Sequence, residues 1–280
     1  MTAAAQGTGP RRVLVLGNSH IAAVKNAHGQ SAAPWPGLAV EFAGGQLETL
    51  AALEVQEGRL IPRTEAAGRN LQALNQRAEW ALADYDAFVV VGCRVGINLA
   101  QVPYRKARFL GLPSGTGQGV EPPLAPVSRA MFELSVREGV AQSVGGTLAL
   151  RLVAGLQPEE RQGPAARVMV AEQPRPSFDC RRQPGKFSGL LQAHRVGDGL
   201  VLSDIFEGAA LRALPGVTFL PQPEQTRHGG MFTLPRYSVG SVRLTAGESI
   251  AHPEDDFIHA NAEYGALVLD QIAEALGPVA

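Results

Sequence analysis

Residues Arg12 to Gly17 read Arg-Val-Leu-Val-Leu-Gly, an uninterrupted apolar run closed by glycine. Such a run has no polar face. A strand built from it must be covered on both sides, as interior strands of parallel sheets are. The pattern returns at residues 38–43, 85–92, 167–171 and 217–220. Helix-compatible sequence lies between these runs, at His20–His28, within 127–156 and over 203–214, and a further helical pattern ends near Leu276. Five buried strands alternating with helices predict an α/β chain. The expected form is a three-layer α/β/α sandwich around a central parallel sheet of about five strands, with ligands at the carboxyl ends of the strands.

The segments 53–64, 101–126, 174–202 and 222–253 are rich in Gly, Pro, Arg and Gln and long for ordinary connections. They are expected to be insertions that roof the site. Nothing divides the remaining pattern, so residues 1–280 are read as one domain, with a frayed Ala-rich start. Lys plus Arg total 25 against 26 Asp plus Glu, a formal charge of −1. That balance lacks the basic footprint of a nucleic-acid binder. No apolar stretch is long enough to span a bilayer and no signal-peptide core follows the start, so neither nucleic acid nor membrane is an expected partner and a cytoplasmic location is expected. Cys93 and Cys180 can form at most one bridge and are expected to be buried thiols. Oligomeric state is not legible.

Two short segments carry chemistry. In Gly17-Asn18-Ser19-His20 the serine stands where the first strand ends and the first helix begins. Its hydroxyl lies at the open edge of the sheet and its N–H near a helix N-terminus, where negative charge is favoured. That suits a nucleophile whose attack creates an oxyanion; Asn and Ser are also preferred helix caps. Near the other end lies Asp255-Asp256-Phe257-Ile258-His259, read as the start of the terminal helix. Three positions apart, Asp256 can meet the His259 imidazole, and a serine nucleophile needs both a base and a group that orients it. The carboxylates there can equally be helix caps.

These two segments resemble the first and last blocks of the SGNH (GDSL-type) hydrolase family. The resemblance implies Ser19 as nucleophile, His259 as base and Asp256 as its orienter, within a flavodoxin-like sandwich that performs acyl transfer, usually ester hydrolysis. It further implies an oxyanion hole made by the Ser19 N–H, a glycine N–H after the second strand (Gly44, with Gly45 beside it) and an asparagine after the third. The sequence departs from the family at that last block, where Gly92-Cys93-Arg94 places Arg94 at the asparagine position and Asn98 follows four residues on. Three possibilities stay open: Arg94 supplies the donor, Asn98 reaches in through a longer turn, or two backbone donors act alone.

The reaction expected is ester hydrolysis through an acyl-enzyme on a small polar ester, with an O-acetylated carbohydrate as the candidate class. An O-acyltransferase using the same site and a non-catalytic α/β binding protein are the rival readings. His20, and His228 in a long loop, are candidate substrate contacts. No Gly-rich nucleotide motif occurs, and the spacing of His252 and His259 around Glu254, Asp255 and Asp256 matches no metal-ligand pattern, so neither cofactor nor metal is expected.

Overall fold

The structure, a computed structural model, describes residues 9–30, 34–115, 124–156, 167–244 and 249–278. Five strands form the central sheet: β1 (Arg11–Gly17), β2 (Leu38–Gly44), β3 (Ala87–Val91), β4 (Arg167–Ala171) and β5 (Val217–Leu220). All pairings are parallel, in the spatial order β5-β4-β3-β1-β2. The helices are α1 (Ile21–Gln30), α2 (Leu47–Ala51), α3 (Glu65–Asn75), α4 (Asn98–Tyr104), α5 (Arg129–Gln142), α6 (Val144–Gly155), α7 (Pro184–Arg195), α8 (Gly199–Ala213) and α9 (Ala262–Leu276).

The two-residue repeat of each strand divides the apolar runs between two cores. Val13, Val15, Val89, Val91 and Met169 face the layer of α1 and α9. Leu14, Leu16, Phe88, Val90 and Val170 face the opposite layer, which includes α5, α6 and α8. The chain is therefore a three-layer α/β/α sandwich. After β1 the chain adds β2 on one side and β3 on the other, so the order reverses between β1 and β3, where open α/β sheets leave a ligand crevice.

α1 and α9 pack with their backbones almost touching: a Cβ at Gly265 would lie 2.0 Å from the Ala23 carbonyl oxygen. Only glycine permits that approach. It fixes the helix that follows Ser19 against the helix that follows His259.

The four segments expected to lie outside the core contribute to it. Residues 53–56 and 59–62 form a hairpin with Leu53 and Leu60 buried; Tyr104 and Phe109 are buried in 101–126, part of which lies outside the described residues. Residues 174–202 hold α7 and the start of α8, with Phe187, Leu190 and Ala193 on a buried helical stripe that the surrounding Gly, Pro and Arg obscure in sequence. Met231, Phe232 and Tyr237 are buried in 222–253. Polar composition misled because buried polar groups are paired: the fully buried Arg175 side chain donates to Glu172 (2.8 Å), Glu207 (2.8 Å), Ser203 (2.7 Å) and the Gly230 carbonyl, tying the end of β4 to α8 and the 222–233 loop. Cys93 and Cys180 are buried free thiols.

Candidate active site

β1 ends at Gly17, and the chain turns through Asn18, Ser19 and His20 into α1. The turn closes through Ile21 N–H donating to the Asn18 carbonyl (3.0 Å) and Ala22 N–H to that of Ser19 (3.3 Å). Asn18 Oδ1 accepts from the N–H of His20 and of Cys93, each at 3.4 Å, joining the β1 turn to the β3 turn. Ser19 is left exposed at the β1/β3 switch. Its N–H meets no acceptor among the described residues.

The segment before α9 is a turn and not the start of the helix. Asn261 is the N-cap of α9, its Oδ1 accepting from Tyr264 N–H at 3.2 Å. Asp256 instead folds its own segment: Oδ1 accepts from the N–H groups of Ile258 (2.9 Å) and His259 (3.1 Å). The free Oδ2 meets His259 Nδ1 at 2.8 Å, and His259 Nε2 meets Ser19 Oγ at 2.8 Å across 240 residues of sequence. A carboxylate can only accept, so Nδ1 carries the proton and Nε2 offers its lone pair to the serine hydroxyl. Burial pushes the Asp256 carboxyl up, but the hydrogen bonds from His259 and the Ile258 N–H more than offset this and hold it below the ordinary value. Ser177 N–H anchors the turn on the Phe257 carbonyl at 2.7 Å.

A second imidazole joins this chain. His252 Nδ1 lies 3.0 Å from the same Asp256 Oδ2, and its ring stacks on that of His259 with centroids 4.0 Å apart and planes 6° apart. Its Nε2 is buried without a partner among the described residues. Burial, then the neighbouring His259, lower its pKa. His252, Asp256 and His259 bring three ligand-type atoms within 4.8 Å. Both rings turn Nδ1 to one carboxylate oxygen, at 3.0 Å from His252 and 2.8 Å from His259.

His20, read as a substrate contact, is 5% exposed and packs behind the serine, 5.0 Å from the His259 ring. Its side chain points inward because it sits between an outward Ser19 and the buried face of α1. Burial, then His259, push its pKa down to about 3. His228 packs against Phe178 with ring centroids 4.0 Å apart and planes tilted by 35°, beside His194 at 5.4 Å, and lines neither cavity next to Ser19 or Asp256.

Gly44 lies beside Ser19 in one cavity, but its N–H donates to Asn75 Oδ1 (2.8 Å), and that of Gly45 donates to the Gly17 carbonyl (3.1 Å). The Asn75 amide also donates to the carbonyls of Gly44 (2.9 Å) and Leu71 (3.1 Å). An oxyanion could use the Gly44 N–H only by displacing Asn75. In sequence Asn75 is an ordinary residue near a helix end, and nothing there signals this contact. At the other expected donor the backbone is strained: Gly92, Cys93 and Arg94 run at φ 72°, 49° and 67°. A Cβ at Gly92 would lie 2.7 Å from Asn18 Oδ1, so glycine is required there. Arg94 is exposed, with its N–H on Gln173 Oε1 at 3.1 Å; Asn98 is exposed in the first turn of α4.

Among the described residues, two cavities flank Ser19, Asp256 and His259. One, of about 450 Å³, is lined by Asn18, Ser19, α1, Phe42, Gly44, Gly45, Leu47, Asn75 and Arg243. The other, of about 480 Å³, lies on the far side, between the start of α7 and Asp255–Ile258.

No protein-family model and no curated protein matches the chain. Among solved structures it is similar to an extracellular lipase from Streptomyces rimosus, with a TM-score of 0.37 and 14% identity over 94% of this chain and 100% of the lipase. Among the described residues no helix is long and apolar enough to cross a membrane.

Proposed function

We propose that this chain is a serine ester hydrolase of the SGNH type. The observation that carries the reading is the unbroken chain from Ser19 Oγ to His259 Nε2 and from His259 Nδ1 to Asp256 Oδ2, 2.8 Å at each step, at the switch point of the sheet. His259 removes the Ser19 proton as Oγ attacks the ester carbonyl, and Asp256 stabilises the imidazolium that forms. The unpaired Ser19 N–H is the first oxyanion donor, aided by the N-terminal end of α1. The tetrahedral adduct expels the alcohol, which takes its proton from His259. Water, activated by the same imidazole, then releases the acyl group and restores Ser19.

The test is the intact mass after treatment with a small fluorophosphonate, on wild type and Ser19→Ala in parallel. One adduct on the wild type and none on the variant supports the reading. Equal labelling of both, or no adduct on the wild type, overturns it.

A further inference from the structure

The cavity beside Ser19 has a chemistry of its own. If Ser19 is the acylated nucleophile, a reading on which this inference rests, the departing oxygen must be protonated by His259 Nε2 and so leaves on the His259 side. The 450 Å³ cavity contains Ser19 but no part of His259, Asp256 or His252. It therefore takes the acyl half of the substrate.

Its wall is apolar near the serine, where Ile21 and Ala22 of α1 face Phe42, Leu47 and Leu74. Leu74 is 47% exposed, an apolar side chain that a bound hydrocarbon would cover. The cavity also holds two cations. Lys25 follows Ile21 by one helical turn, about 6 Å farther along α1, and Arg243 comes from the strand Val242–Leu244, whose hairpin leads into His252. Neither forms a hydrogen bond or ion pair among the described residues. Among the described lining residues Glu48 is the one anion, and it pairs with neither. An apolar wall beginning at the nucleophile, with two cations unpaired among the described residues in the same cavity, fits a chain that is apolar beside its ester carbonyl and negative at its far end.

We propose that the enzyme acts on esters of acyl groups that end in an anion, as in half-esters of dicarboxylic acids. The methylene chain lies along Phe42, Leu47 and Leu74, and the terminal carboxylate meets Lys25 and Arg243. Ser19 Oγ bonds to the acyl carbon, the ester C–O bond breaks, and the alcohol leaves with the proton carried by His259. Lys25 and Arg243 take no part in the bond changes; they select the acyl group.

The deciding comparison is kcat/KM for mono-p-nitrophenyl suberate against p-nitrophenyl octanoate, two acyl chains of equal length that differ in one terminal charge. The wild type should favour the suberate about fivefold to tenfold at low salt, the size expected of two partly exposed charge pairs, and the ratio should shrink as salt is added. In Lys25→Ala/Arg243→Ala the ratio should fall to one or below. In Lys25→Glu/Arg243→Glu the preference should pass to an octanoate ester ending in trimethylammonium. All of these positions are exposed, and a thermal melt of each variant checks the fold. A wild-type ratio of one or below, or a ratio that both double variants leave unchanged, overturns the proposal. Fluorophosphonate labelling separates the two possible failures: labelled Ser19 with no preference, or with cleavage of neither ester, sinks the acyl assignment alone. Absence of both labelling and cleavage removes the hydrolase reading and the proposal with it.

Discussion

His252 lies flat against His259, 4.0 Å between ring centroids, and both imidazoles turn Nδ1 to the same oxygen of Asp256. With its Nε2 buried and unpartnered among the described residues, neutral His252 carries its proton on Nδ1, the nitrogen that faces the carboxylate at 3.0 Å. Asp256 thus accepts three hydrogen bonds, two from backbone N–H groups and one from His259, and the same Oδ2 lies 3.0 Å from His252 Nδ1. The charge available to stabilise the His259 imidazolium is shared.

Removing the second donor should sharpen the first interaction. In His252→Phe the stack is kept and the polar approach to Asp256 lost, so the carboxylate no longer divides its charge between two imidazoles. The acid limb of the kcat/KM profile should move to higher pH. His252→Asn, which can donate but cannot stack, should shift the limb less. The groups facing His252 include His259, Asp256 and Arg243, and neither substitution alters any of the three. A uniform loss of activity at every pH, with the limb unmoved, would show that His252 only fills space.

Stability should fall on the acid side, and His20 should be a main cause. Its folded pKa, pushed down to about 3 by burial and then by His259, lies below the roughly 6.5 of an unfolded histidine. Between these values the unfolded chain binds a proton that the folded chain does not. The stability is therefore complete above pH 6.5 and is lost as pH falls toward 3. Urea unfolding at pH 7, 5.5 and 4 should show a decline on the order of 2–3 kcal/mol from this group. His20→Leu should flatten the slope without abolishing it, because His252 is depressed in the same direction. An unchanged slope in the variant would assign the effect elsewhere.

Much of this architecture is legible in the sequence because strands buried on both faces leave no room for polar residues. The runs at 12–17, 38–43, 167–171 and 217–220 all fall within strands of the sheet or within a residue of their ends. Ser19, Asp256 and His259 were visible as short local patterns, and the fold brings them into one hydrogen-bonded chain. What depended on loops was not legible. His252 reaches Asp256 only because the turn doubles back, and Asn75 reaches Gly44 from a helix 31 residues away. The reading of Asp256 and His259 as a helix start failed because Asp256 caps its own turn and leaves the helix to Asn261. The polar stretches were misjudged because a residue such as Arg175 can be fully buried once every donor is matched.

Gly265 links the helix after Ser19 to the helix after His259 through packing. A methyl group there meets the Ala23 carbonyl oxygen at 2.0 Å, so α9 must move away from α1. Alanine is the better helix former by about 1 kcal/mol, yet Gly265→Ala should destabilise by about 1–3 kcal/mol through overpacking. Because α1 follows Ser19 and α9 follows His259, the same shift should slow fluorophosphonate labelling of Ser19 in the protein that remains folded. A melt equal to that of the wild type with labelling unimpaired would contradict the close approach.

On the proposed reading, Arg94 and Asn98 are the two candidates for a further oxyanion donor. Arg94 ends a turn in which two successive non-glycine residues, Cys93 and itself, hold positive φ. Such backbone costs about 1–3 kcal/mol per residue and tends to persist where it aims a functional group. The strain is held by fixed partners: Cys93 N–H on Asn18, Arg94 N–H on Gln173 at 3.1 Å, and the Cys93 carbonyl accepting from Gly145 N–H at 2.9 Å. Asn98 begins α4 without comparable constraint. Arg94→Ala should therefore lower kcat by about 10²-fold with little change in KM, the mark of a donor used in the transition state, whereas Asn98→Ala should stay within a few-fold of wild type. Both side chains are exposed, so the melts should match the wild type. If Asn98→Ala carries the loss, the longer turn supplies the donor. If neither does, Ser19 N–H acts with Gly44, and Asn75 must swing away from the Gly44 N–H when substrate binds.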